Sequence, residues 1–93
     1  MTEQYKVPVE ALIELLKAHR ANGQAIIDRF DDSDEWRTDA VGWAAASSSV
    51  MDLQKHMDRS GYVKAGVYSA FDDELLDLMK TTLRMRDLYH GYK

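Results

Sequence analysis

The chain has 93 residues, 45% hydrophobic and 30% charged, with 12 basic against 16 acidic side chains and a formal net charge of -4. That is enough polypeptide for one domain, too apolar for a disordered tail, and without the basic surplus of a general duplex binder, so nucleic acid is not an expected partner. It contains no cysteine, which removes disulfides, thiol catalysis and thiolate zinc sites together.

No apolar run approaches the ~18 residues of a membrane span. Residues 1–10 are polar and lack the basic-then-apolar layout of a secretory leader. The expectation is a cytoplasmic chain forming a single domain over 1–93. One proline and five glycines punctuate it. Pro8 suits the first turn of a helix, where its missing N–H costs nothing. Leu12, Ile13, Leu16, Arg20, Gly23, Ile27 and Phe30 follow at steps of mostly three and four, which predicts a first helix over 8–30. The cluster Asp31-Asp32-Ser33 then turns the chain.

Ser33 or Asp32 fits the cap of a second helix, and Glu35 stands three residues after Asp32, a capping-box spacing. Trp36, Ala40, Trp43, Ser47, Val50, Gln54 and Met57 recur at steps of four and three, so the second helix is placed at 34–58. The biased run Ala44-Ala45-Ala46-Ser47-Ser48-Ser49 lies inside this pattern and reads as helix. Ser60-Gly61 ends it. Ser69 fits the cap of a third helix over 69–90, with the stripe Phe71, Leu75, Leu78, Met79, Thr82, Met85 and Tyr89. Asp72, Asp73 and Glu74 at its start and Lys80, Arg84 and Arg86 in its second half match the helix dipole. No segment has a strand alternation.

The fold expected is all-α: a three-helix bundle built on a long antiparallel hairpin. Folding about Asp31–Asp32 sets Leu16 opposite Ser47, Ile27 opposite Trp36 and Gly23 near Ala40. The third helix is expected to cover the groove. A domain of this size buries only about 60–65% of its extended-chain surface. Self-association would add to a marginal core, so a homo-oligomer is expected.

Chemistry-bearing residues are sparse. His19, His56 and His90 fall on three different predicted helices, outside any HExxH spacing, and read as surface or helix-end histidines. No metal and no cofactor are expected. Ser47, Ser48 and Ser49 have no nucleophile elbow and no base evident in sequence. Arg59, Ser60, Tyr62 and Lys64 gather around Gly61 and Gly66, where free backbone amides and a stacking ring could hold an anion or nucleotide at a subunit interface. Exposure-capable aromatics and methionines are plentiful for the size. The reading that leads is therefore a non-enzymatic interaction protein, an adaptor or inhibitor that binds a partner protein through Trp36, Trp43, Met57, Tyr62 and Tyr68. The acidic turn and the basic C-terminal segment give a charge asymmetry that favours head-to-tail self-association.

Leu12-Ile13-Glu14-Leu15-Leu16 with Arg20 and Arg29 resembles part of the first helix of the short helical chorismate mutases. That resemblance implies a small helical mutase, the second alternative. The lysine it calls for after the first helix is absent, and the third helix offers no glutamine facing a site. Secreted helical hairpins with a Trp-x-Gly bend are similar in length, but here the order is Gly42-Trp43-Ala44, inside the second helix.

Overall fold

The computed structural model describes residues 7–58 and 67–91. Helix α1 spans Val9–Asp28, α2 Asp34–Asp52 and α3 Val67–Tyr89. They pack as the all-α three-helix bundle that the periodicity predicts. A two-residue strand at each end of the hairpin, β1 (Val7–Pro8) and β2 (Met57–Asp58), pairs in parallel with Val7 opposite Met57. No helix among the described residues is long and apolar enough to cross a membrane.

Pro8 stands just before α1, extended at φ -60° and ψ 141°. α1 buries Val9, Leu12, Ile13, Leu16, His19 and Gly23. It ends at Asp28, two residues before the expected end, where the backbone turns toward the Asp31–Ser33 cluster. Asp32 takes φ +58°, the left-handed region that a short acidic side chain tolerates better than most. Asp31 Oδ1 accepts from the Ser33 amide at 3.0 Å and from its hydroxyl at 2.6 Å. Ser33 Oγ accepts in turn from the Trp36 amide at 3.1 Å. Ser33 is thus the cap, and Asp32 serves the turn.

The hairpin register falls within a turn of the expected one. Trp36 Nε1 donates to Ile26 O at 2.7 Å, and His19 Nε2 lies 2.6 Å from Ser47 Oγ. α2 stops earlier than its stripe predicts. Leu53–His56 tighten into a 3-10 turn and Met57 extends at ψ 131°. Leu53 and Met57 then both pack on the core at the foot of α1, while the Met57 backbone pairs with Val7. That pairing overrides a helical periodicity that the sequence carries through 58. α3 starts two residues before Ser69, which lies inside the first turn and does not cap it.

Two polar contacts orient α3: Arg20 Nε reaches Glu74 Oε1 at 3.4 Å, and Arg37 Nη1 donates to Tyr89 O at 2.6 Å. α3 therefore rises beside α1 and ends at the head of α2. Arg37 ties this end together: Nη2 donates to Asp32 Oδ1 at 2.6 Å and the guanidinium sits 5.0 Å above the Tyr89 ring. A cation on the last carbonyls of α3 also complements its dipole. Phe71, Leu78 and Met85, one heptad apart, turn α3 into the core. α3 packs chiefly on α1 and much less on α2. The expected covering of the groove is therefore incomplete, because α2 presents the small residues Ala40, Val41 and Ala44 on that side.

Candidate functional site

The incomplete closure leaves an apolar cleft of about 230 Å³ between α2 and α3. Ala40, Val41, Trp43 and Ala44 form one wall, and Thr82, Met85, Arg86 and Tyr89 the other. A shallower depression continues it past Val41 and Tyr89 to Arg37 and Asp34 at the head of the bundle. Arg86 is exposed at the rim, and Val41, at 53% exposure, is the most accessible large apolar side chain of the wall. The lining is largely apolar, with Arg86 giving it a cationic rim.

Behind this wall lies a polar cluster in the hairpin interior. His19 and Trp43 stack with ring centroids 4.7 Å apart and planes within 4°. Trp43 Nε1 donates to His19 O at 2.8 Å, and Ser47 Oγ donates to Trp43 O at 3.0 Å. With its one proton so used, Ser47 Oγ accepts from His19 Nε2. His19 was expected at a surface or helix end; it is 8% exposed. The correction follows from the hairpin register, which sets it against the small Ser47. A histidine thus stands beside Ser47, but as a donor to its oxygen it is not that serine's base, and Ser47 is 4% exposed and bonded to its own helix. The pair fastens α1 to α2. Its oxygen is not presented to a substrate.

Burial pushes the His19 pKa below the ordinary 6.5, opposed in part by the Trp43 carbonyl. The native state therefore prefers neutral His19. This contribution to stability is complete above about pH 6.5 and is lost as pH falls from there through the lower native value, with a slope of at most about 1.4 kcal/mol per pH unit. Asp31, held low mainly by the Ser33 hydroxyl, acts only below its ordinary 3.8. Unfolding midpoints of the wild type should fall between pH 7.5 and 5, and His19→Gln should lose much of that dependence. Equal pH profiles for the two proteins would refute the assignment.

The residues singled out from sequence divide sharply. Trp36 is 1% exposed and Trp43 5%, because both indole N–H groups reach backbone carbonyls of α1. Trp36 is therefore a core residue and not a contact surface, and Trp43 contributes only its edge to the cleft. Met57 is half-buried against the core. Arg59, Ser60, Tyr62 and Lys64 lie outside the described residues, as does the Tyr68 side chain. Val41, Ala44 and Met85 were not anticipated as lining residues. Val41 and Ala44 fall off the α2 stripe, and Met85 was read simply as part of the α3 core. The arginines of the mutase resemblance hold the chain's own carboxylates: Arg20 pairs with Glu74 at 3.4 Å and Arg29 with Asp39 at 2.7 Å. Among the described residues no group of three or more acidic or histidine side chains is placed to hold a metal ion. Comparison with protein families, curated proteins and solved structures finds no match to this chain.

Proposed function

We propose that the protein is a non-enzymatic interaction protein, an adaptor or inhibitor of the kind that phages and mobile elements encode, acting in the cytoplasm on a partner protein and associating with itself. The observation that supports this reading is the apolar cleft between α2 and α3. It is large enough for one or two aliphatic or aromatic side chains of a partner, and Arg86 at its rim favours acidic residues beside them. Val41 and the exposed Ala44 are the contact positions, with the Trp43 edge as the floor.

Val41→Arg tests it, because the site is exposed and the change leaves the core untouched. Cross-linking in the host lysate should capture a protein with the wild type that Val41→Arg captures roughly 30-fold less well, the loss expected for one interface hot spot of about 2 kcal/mol. The thermal midpoint should stay within a degree or two. Undiminished capture by Val41→Arg and by Ala44→Glu would remove the cleft as the binding site.

A further inference from the structure

We propose that two copies of this chain pair through an exposed ridge of α3, antiparallel, about a two-fold axis near Met79. The inference rests on the self-association reading above and names the surface and the geometry that produce it.

α3 carries two apolar stripes. Phe71, Leu78 and Met85 are buried on the bundle side. Leu76, Met79 and Leu83 form a second ridge, rotated roughly 120° around the helix from the first, and are 50%, 47% and 50% exposed. Single exposed apolar residues are ordinary on a protein surface; three at successive helical steps on one ridge form a patch that calls for cover.

The charges say what covers it. Continued by the same steps of four and three, the ridge begins at Asp72 and ends at Arg86. Both are exposed, and neither has an ion-pair partner among the described residues. The first half of α3 also carries Asp73 and Asp77, and the second half Lys80 and Arg84, with Asp87 the one exception. The ridge is thus acid, apolar, base along its length. Such a pattern is complementary to itself only when reversed. Two copies laid antiparallel bring Leu76 beside Leu83 of the second copy and Asp72 toward its Arg86, while Met79 meets Met79 at the axis. A parallel pair sets like charges side by side. A two-fold axis makes the same patch serve both copies, the commonest closed symmetry of small oligomers. One helical ridge covers less than the roughly 800 Å² per partner of a stable interface, so the dimer is concentration-dependent and weakens with salt.

The absence of native cysteine makes disulfide trapping a clean test, and all three positions tolerate exposure. Met79→Cys should cross-link to a covalent dimer on mild oxidation. Leu76→Cys and Leu83→Cys should each stay largely monomeric alone and cross-link when mixed. Sedimentation of the wild type should show a monomer–dimer equilibrium that shifts toward monomer as salt rises. Circular dichroism controls for folding of each variant. A wild type that stays monomeric at every concentration overturns both this pairing and the self-association reading. An oligomer in which Met79→Cys does not cross-link leaves self-association standing and overturns this surface. Efficient trapping of Leu76→Cys with itself and of Leu83→Cys with itself indicates parallel pairing and also overturns it.

Discussion

Trp36→Ala is expected to abolish stable folding. Trp36 is 1% exposed and has the largest of the fully buried side chains. Truncating such an aromatic costs about 3–5 kcal/mol, against a total of 5–15 kcal/mol for a typical domain. Two further contacts go with it. The Phe30 ring packs edge-on at 4.7 Å. The indole N–H donates to Ile26 O at 2.7 Å, one of the last carbonyls of α1, which the helix itself does not satisfy; the Phe30 amide goes to Ile27 instead. Trp36 therefore closes the C-terminus of α1 from the neighbouring helix. Trp36→Phe separates the two roles: it keeps most of the apolar area and loses the donor, so about 1–2 kcal/mol should be lost. Urea unfolding of both variants measures this, and a Trp36→Ala protein as stable as the wild type would contradict the core assignment. The same arithmetic disqualifies Trp36→Ala as a probe of partner binding, since lost capture would only report unfolding. Val41→Arg has no such ambiguity.

The sequence carried the helices because their stripes are long and their caps chemically explicit. The Asp31–Ser33 turn, the hairpin register and the stripe Phe71, Leu78, Met85 could all be read from spacing. The cleft could not. It arises where α2 offers alanines and one valine to α3, and a run of small residues predicts close approach to one neighbour without saying which. Here Ser47 faces α1, while Ala40, Val41 and Ala44 border a gap. Nor could burial of Trp36 and Trp43 be separated from exposure. Core and interface stripes share one period, and what decided between them was the pairing of each indole N–H with an α1 carbonyl, a long-range contact. The second stripe of α3 escaped for the same reason. Spacing alone places Met79 on the core stripe with Leu75 and Leu78, whereas the helix rotates it outward with Leu76 and Leu83. Periodicity is local and makes Met57 helical, whereas its pairing with Val7 spans fifty residues of sequence.

Gly23→Ala should destabilise the protein by about 1 kcal/mol although it places a better helix former inside α1. The propensity gain is about 1 kcal/mol. Opposing it, a Cβ at position 23 would lie 2.5 Å from Trp43 Cε2 and 2.9 Å from Nε1. A flexible side chain could move aside. The indole cannot do so cheaply, because it is stacked on His19 at 4.7 Å and bonded to His19 O at 2.8 Å. Overpacking of this kind costs about 1–3 kcal/mol, and the stack and hydrogen bond are strained with it, so the steric loss exceeds the propensity gain. Trp43→Leu relieves the clash at the cost of a cavity. The double variant Gly23→Ala/Trp43→Leu should therefore be more stable than the sum of the single losses, with a coupling of about 1–2 kcal/mol. Additive losses, or a Gly23→Ala midpoint above that of the wild type, would show that the helices separate to admit the methyl. Trp43 also lines the cleft that Ala44 and Met85 border, so an indole displaced by the methyl alters that wall. Under the proposed function, Gly23→Ala should weaken partner capture beyond its effect on the folded fraction, whereas a core change remote from Trp43, such as Leu12→Ala, should weaken it only in proportion to unfolding.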